Sequence, residues 1–127
     1  MGLWSWLKTL GAGRPVPIPS VHRESAAELC GVLREIIDLL EADGETHWQR
    51  WMAESLVQLE ANDLRGARYL LGAYGGMGSF NDLIIGQRID GDRFSWAEDA
   101  KDSNDTLNQL RGHASFLAKK LTVDPSI

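Results

Sequence analysis

Apolar residues recur at helical spacing in four stretches of the chain, and each stretch predicts an amphipathic helix with one buried face. We expect helices at residues 26–43, 47–61 and 64–73, and a last helix that begins at Trp96 or Lys101 and ends at Leu121. The most regular apolar stripe consists of Leu29, Leu33, Ile36, Ile37 and Leu40. Stripes of this kind are buried against one another, so the pattern predicts helices packed around one core.

Residues that cap helix ends are expected at the borders of these stretches. A Ser or Thr followed three residues later by Glu or Gln forms a capping box, and three such pairs lie at these borders, at Ser25–Glu28, Thr46–Gln49 and Ser95–Glu98. Asp63 is the expected N-cap of the third helix. Gly44 and Gly75 are suited to end the first and third helices, because glycine accepts the left-handed conformation found just past a helix.

The helical pattern is interrupted between Leu83 and Trp96. Leu83-Ile84-Ile85 has β-branched character, Asp90-Gly91 is a strong hairpin-turn dipeptide, and residues 93–96 can form the returning strand. A lone hairpin is marginal in water, so this one must pack on the helices. The predicted fold is all-α, a compact four-helix domain with a short β-hairpin or extended loop before the last helix.

The N-terminal 20 residues are expected to be separate from the helical domain, which spans residues 21–127. Residues 1–10 form a short amphipathic unit, followed by a linker whose alternating prolines favour an extended path. The unit either folds back onto the core or lays its tryptophans against a membrane surface or a partner. Lys8 is the single basic residue of its polar face, so membrane contact is expected to be weak.

Three glycines fall within four positions in the segment that we call the glycine loop (residues 74–82). Gly75 is sufficient to end the preceding helix, so Gly76 and Gly78 need another reason, such as a tight reversal or the close approach of a partner. The loop's short polar residues are expected to bond to local backbone amides. Met77 and Phe80 are expected to anchor it by packing inward. The loop is therefore either a rigid turn or a recognition element.

Net charge narrows the classes of partner. The chain has 127 residues, a net charge of −5 and a sequence pI of about 5.1, which argues against nucleic acid as a partner and favours a basic protein. Residues 90–105 hold six carboxylates against Arg93 and Lys101, a local net charge of −4. This acidic stretch is either the solvated start of a helix or a docking face for a basic protein.

The chain lacks the sequence motifs of several kinds of binding and catalytic site. The glycine loop has no P-loop lysine and lacks the third glycine of the dinucleotide fingerprint. The three histidines are not at metal-ligand spacing, so no metal or cofactor is expected. Cys30 is the single cysteine and falls on an apolar helical pattern, which predicts a buried thiol, no internal disulfide and a cytoplasmic location. No apolar run is long enough for a transmembrane segment.

The string Tyr-Gly-Gly-Met-Gly-Ser-Phe-Asn-Asp-Leu begins at Tyr74 and is followed by a helix with the motif Asn104 to Arg111. It resembles a group of small bacterial proteins that share the sequence GGMGSFNDL, over residues 45–121. The segment between Ile85 and Trp96 departs from that group. Its members have no assigned chemistry. Short acidic proteins of this kind are often immunity partners of secreted toxins, so the resemblance implies an immunity-type protein.

These features predict a non-enzymatic protein-binding module of the immunity or antitoxin type that neutralises a basic toxin through an acidic face next to the glycine loop. The expected partner-binding residues are Gly76, Met77, Gly78, Ser79, Phe80, Asn81, Asp82, Asp90, Asp92, Trp96, Asp99 and Asp102. Phe80 and Trp96 would be aromatic anchors. The alternative is a small enzyme or ligand-binding domain that uses Ser79, Asn81, Asp82, Arg68 and His113 around the loop.

Overall fold

Residues 13–123 are described by a computed structural model. Within them the chain forms four α-helices: α1 (Arg23–Asp43), α2 (Thr46–Glu60), α3 (Arg65–Leu71) and α4 (Ala100–Thr122). An antiparallel hairpin of β1 (Gln87–Asp90) and β2 (Arg93–Trp96) precedes α4. Short 3-10 turns lie at Ser20–His22 and Phe80–Asp82. The predicted helical fold with a hairpin before the last helix is confirmed.

The centre of the fold is the apolar stripe of α1. Leu29, Leu33, Ile36 and Leu40 are fully buried, and α1 packs against both α2 and α4. Burying each such side chain contributes roughly 1.5–3 kcal/mol. The short α3 contacts α2 and α4 and closes the bundle. Four successive apolar turns of one helix therefore hold the other helices in place.

Two of the expected capping boxes are replaced by other helix starts. Helix α1 begins at Arg23, because a 3-10 turn feeds directly into it, and Ser25 is buried inside the helix. Gly44, with a φ of 80°, ends α1 as predicted. It leaves Glu45 extended, so Glu45 caps α2 by accepting from the Trp48 amide at 3.3 Å.

The third capping box, Ser95–Glu98, is also wrong. Strand pairing extends to the end of β2, where Ser95 lies opposite Arg88 and Trp96 opposite Gln87. The hairpin backbone is therefore still extended at Ser95. Helix α4 starts only at Ala100, with Asp99 at its N-cap position and no side-chain cap bond there.

Helix α3 is packed closely against α2. A Cβ on Gly66 would lie 2.7 Å from the Ser55 carbonyl oxygen, and the Ser55 hydroxyl donates to the Gly66 carbonyl at 2.7 Å. Only glycine permits this approach. Leu64, and not the predicted Asp63, occupies the N-cap position of α3, without a side-chain cap bond; Asp63 lies one residue earlier, and its Oδ1 accepts from the Arg65 amide at 3.1 Å. The helix ends at Leu71, before Gly72, rather than at Gly75.

The segment before α1 lies along the α2–α3 turn. The Val16 amide donates to Asp63 Oδ1 at 3.1 Å, and the Val16 carbonyl accepts from the Leu64 amide at 2.7 Å. Ile18 is buried in the core. The amphipathic unit of residues 1–10 and its expected membrane contact lie outside the described residues. No described helix has the length and apolar character needed to cross a membrane.

Candidate functional site

The glycine loop is braced by its own polar groups. Gly78 has a φ of +81°, and its amide donates to Asp82 Oδ2 at 2.9 Å. The Asn81 side chain donates to the Gly75 carbonyl at 3.1 Å, and the Asn81 amide donates to Ser79 Oγ at 3.3 Å. The expectation of local bonds from short polar residues is confirmed, and Gly78 is explained by a tight reversal.

Phe80 fixes this loop to the core. It is fully buried, its ring centroid is 5.5 Å from that of Trp48 and 5.7 Å from that of Tyr74, and its amide donates to the Ala73 carbonyl. The inward packing predicted for Phe80 is confirmed. Its expected role as an aromatic contact for a partner is wrong, because no part of the ring reaches the surface.

Met77 takes the opposite position. Its side chain is fully exposed, although it was expected to pack inward. The left-handed backbone at Gly78 turns the chain between Met77 and Phe80. Gly75 and Gly76 have neither a positive φ nor any atom within 4 Å of a built Cβ. The described contacts therefore give no internal reason for glycine at these two positions.

Two side chains, one from α4 and one from α1, hold the base of the hairpin. The Asn104 side chain accepts from the Ile85 amide at 3.0 Å and donates to the Ile85 carbonyl at 2.8 Å. Asp43, at the end of α1, accepts from the Gly86 amide at 2.7 Å and from the Arg88 guanidinium at 3.2 Å. Gly86 has a φ of +85°, and a Cβ there would lie 2.7 Å from Ala100 Cβ. The hairpin is therefore fixed to both α1 and α4.

The hairpin presents its apolar side to solvent. Its register pairs Ile89 with Phe94 and Gln87 with Trp96, so Ile89, Phe94 and Trp96 point to the same side. These side chains are 75%, 54% and 53% exposed, and the Phe94 and Trp96 rings are 5.2 Å apart in an edge-to-face contact. Antiparallel sheets usually bury such a face against the core. The hairpin instead leaves it without a partner among the described residues.

A groove adjoins this side of the hairpin and runs along α4. Its volume is about 560 Å³. It is lined by Leu83, Ile84, Trp96, Ala97, Glu98, Ala100, Lys101, Asn104, Asn108 and Arg111. Ile84, 53% exposed, and Trp96 join the groove to the hairpin surface. We call Ile84, Ile89, Phe94 and Trp96 together the apolar face.

Arg111 forms one end of the groove and also supports the glycine loop. Its Nη1 donates to the carbonyls of Phe80 and Leu83 at 2.8 and 2.9 Å, and its Nη2 donates to Asn108 Oδ1. Burial lowers the pKa of Arg111, and Tyr74 and Asp82 act in the opposite direction. Its hydrogen-bond acceptors are two carbonyls and an amide, with no carboxylate among them.

The predicted acidic residues are all exposed, but they do not form one face with the glycine loop. Asp92 lies in the hairpin turn and Asp90 on the side opposite the apolar face. Asp99 lines a separate depression with Asp43 and Arg88. The loop is bonded to α4 at Arg111, nine residues or about 14 Å from Asp102 in the first turn. The acids therefore do not share one side of the hairpin, since Asp90 lies opposite the apolar face and Asp99 lines a separate depression.

Sequence reasoning missed Ile84, Ile89 and Phe94. The signal was present, since alternation on either side of the Asp90-Gly91 turn places Ile89, Phe94 and Trp96 on one side of a two-stranded hairpin. The residues proposed for the enzyme alternative are not all brought together. His113 lies within 2.6 Å of Glu28 on α1, whereas Ser79, Asn81 and Asp82 bond within the loop.

Cys30 is buried, as predicted. Burial raises the pKa of its thiol, with Glu60 adding to the increase and Arg34 opposing it. The thiol is therefore not activated as a nucleophile. Among residues 13–123, no three His, Cys, Asp or Glu side chains are grouped closely enough to hold a metal ion.

Comparison with known proteins gives one family match. Searches of curated proteins and of solved structures found no similar protein. Residues 41–95, from the end of α1 through most of β2, match a family described as a domain of unknown function, DUF6966. The matched segment contains the glycine loop and the hairpin up to Ser95, but not Trp96 or the α4 wall of the groove. The chain is thus similar to this family over the elements that present the loop and the apolar face.

Proposed function

We propose that the protein is a non-enzymatic protein-binding module that captures a basic protein through the apolar face. The observation that carries this proposal is the exposure of Ile89, Phe94 and Trp96 on one side of a hairpin whose base is fixed to α1 and α4. Contiguous exposed apolar patches of this kind mark interaction sites in soluble proteins.

The apolar face has the composition of an interface centre. Burying a large apolar side chain contributes roughly 1.5–3 kcal/mol, and aromatic residues supply most of the strong contacts in measured interfaces. Phe94 and Trp96 are preordered by their ring contact and by the strand register. Covering them with a partner therefore costs this chain little conformational freedom, which favours affinity.

The charge around the apolar face selects the class of partner. The hairpin turn and the first turns of α4 are exposed and carry a net charge of −4 over residues 90–105. Glu98 lines the groove itself. Negative charge beside an apolar centre attracts a positively charged protein and repels an acidic one. A basic toxin neutralised in the cytoplasm is the specific partner that the sequence resemblance suggests.

The glycine loop is a second candidate contact in this proposal. Internal hydrogen bonds hold it in one conformation, and it exposes Met77 beside Gly75 and Gly76. The absence of side chains at these two glycines allows another backbone to approach closely. Gly76, Met77 and Gly78 therefore remain in the proposed interface, whereas Phe80 supports it from inside.

The proposal can be tested by truncating one exposed aromatic residue and comparing it with another. Phe94→Ala should weaken binding of the basic partner by about 10–100-fold, the range of a hot-spot residue. Phe116→Ala is the matched control, because Phe116 is 65% exposed on α4 and lies outside the apolar face. Isothermal titration calorimetry gives both affinities. Equal affinities of the two variants would contradict the proposal.

A further inference from the structure

The groove beside the apolar face differs in charge between its two ends. At the hairpin end, Glu98 forms part of the wall. The neighbouring Lys101 is bonded to Asp105 at 2.8 Å and is also influenced by Asp102. At the other end are Asn108 and Arg111. Lys101 and Arg111 are ten residues apart on α4, which separates the ends by about 15 Å.

The Arg111 end offers hydrogen-bond donors only. Arg111 has five N–H groups, and three of them are used on Phe80, Leu83 and Asn108. Two guanidinium N–H groups therefore have no acceptor among the described residues. Asn108 accepts from Arg111 through Oδ1, so its NH₂ group points away from the Arg111 guanidinium and is open to an acceptor. This end is a positively charged set of donors with no carboxylate in the groove lining, although Asp82 of the glycine loop acts on Arg111 through space.

The middle of the groove is apolar and closed to further polar contacts. Leu83, Ile84 and Trp96 provide apolar surface. Asn104 forms part of the wall, but both of its N–H groups donate, to the Ile85 and Ala100 carbonyls, and its oxygen accepts from the Ile85 amide. An apolar side chain is therefore favoured between the two charged ends.

We infer that the groove receives the C-terminal tail of the basic partner, an inference that depends on the function proposed above. The free carboxylate binds the open N–H groups of Arg111 and Asn108, an apolar last side chain packs on Ile84 and Trp96, and a basic side chain upstream meets Glu98. An extended chain rises about 3.3 Å per residue, so about four to five residues span the groove.

The terminal carboxylate distinguishes a tail from an internal segment. A guanidinium binds a carboxylate through charge-assisted, often paired hydrogen bonds. An internal segment would offer only a neutral carbonyl at this position. The opposite charges at the two ends also fix the direction of the bound chain, with its C-terminus at Arg111. A segment running the other way would place its carboxylate against Glu98.

The test uses a labelled hexapeptide, Gly-Lys-Lys-Gly-Ser-Leu, with either a free C-terminal carboxylate or a C-terminal amide. Fluorescence anisotropy should show that the free acid binds at least about 10-fold more tightly than the amide, as expected for one charge-assisted bond. Equal affinities, or no binding of the free acid at millimolar peptide, would overturn the inference. Displacement of the free acid by equimolar acetate would also overturn it, because the groove would then be a general anion site.

A pair of variants on one helix controls for folding and charge. Asn108→Asp should abolish the preference for the free acid, because the new carboxylate occupies the open donors of Arg111. Thr106→Asp makes a similar charge change on the opposite side of α4, beside Leu110, and should keep the preference. The same outcome for both variants overturns the inference. If the wild-type protein binds the free acid and the amide equally but Phe94→Ala still weakens binding of the partner, only the tail contact is wrong and the proposed function stands.

Discussion

Asp63 is a buried carboxylate that connects three parts of the chain. Its Oδ1 accepts from the amides of Val16 and Arg65, each at 3.1 Å, and its Oδ2 accepts from the Arg65 guanidinium at 2.8 Å. Burial acts to raise the pKa of Asp63, but the bonds from Arg65 and Val16 outweigh it, so the pKa lies below its ordinary value. The ionised carboxylate therefore stabilises the turn between α2 and α3.

The pH dependence of stability tests this role. Since folding lowers the pKa of Asp63 below the unfolded value of about 3.9, its contribution is present above that pH and is lost as the pH falls through the folded value. Asp63→Asn should lower the free energy of unfolding by about 1–3 kcal/mol at pH 7. Urea denaturation should show this difference shrinking below about pH 4. A constant difference down to pH 2.5 would contradict the assignment, and exposed Asp38→Asn serves as the control.

The two glycines that flank Met77 have different roles. Gly78 has a φ of +81°, whereas Gly76 is outside the left-handed region and open on its Cβ side. Gly78→Ala should therefore destabilise the protein by about 1 kcal/mol, and Gly76→Ala should change stability by less than about 0.5 kcal/mol. Thermal denaturation separates the two. If Gly76→Ala keeps stability but weakens partner binding, the partner approaches the loop backbone; equal stability losses would refute the assignment.

At the scale of elements, the position of the hairpin is set by its base. Asn104 satisfies both backbone groups of buried Ile85, and Asp43 binds the Gly86 amide. Sequence separation between these partners is large, so local patterns could not reveal them. The hairpin is therefore held in one orientation, and that orientation decides which of its sides faces solvent.

Removing Asn104 should release the hairpin. Asn104→Ala leaves the N–H and C=O of Ile85 without partners, which should cost about 1–3 kcal/mol. Hydrogen exchange should become faster at the amides of residues 85–97. Asn108→Ala is the control on the same helix, because Asn108 is exposed and makes no bond to the hairpin. Unchanged exchange in Asn104→Ala would show that the other contacts are sufficient.

The sequence predicted the elements well and their contacts poorly. Helices α1, α2 and α4 follow from apolar periodicity, since a stripe such as Leu29 to Leu40 can be buried in only one way. The turn at Asp90-Gly91 follows from local backbone preference. The capping boxes failed because the 3-10 turn, the Gly44 cap and the strand register changed where each helix begins. Phe80 and Met77 could not be told apart for a similar reason. A loop has no regular spacing of apolar residues that would show which side chains are buried.

At the scale of the whole molecule, acidic residues occur on more than one side. Residues 90–105 carry a net charge of −4, and Glu98 among them lines the groove beside the apolar face, while Glu35 and Asp38 of α1 border a different depression with Thr106 and Leu110. That depression lies on the opposite side of α4 from the groove, because the groove uses residues 101, 104, 108 and 111. Acidic residues therefore border two separate depressions, and their effects on binding can be measured separately.

Reversing charges in each region separates local steering from net charge. The double variants Asp92→Lys/Glu98→Lys and Glu35→Lys/Asp38→Lys each change the net charge from −5 to −1, since each substitution adds two units. The screening length is about 8–10 Å at ordinary salt, so charges near the apolar face dominate attraction of a basic partner.

Stopped-flow measurements should show that the first variant lowers the association rate about 10-fold at low salt and leaves dissociation nearly unchanged. The second variant should have a much smaller effect, and the difference should narrow as salt is raised. If both variants slow association equally, overall charge rather than charge near the apolar face attracts the partner; if neither does, the partner is not recognised by its positive charge.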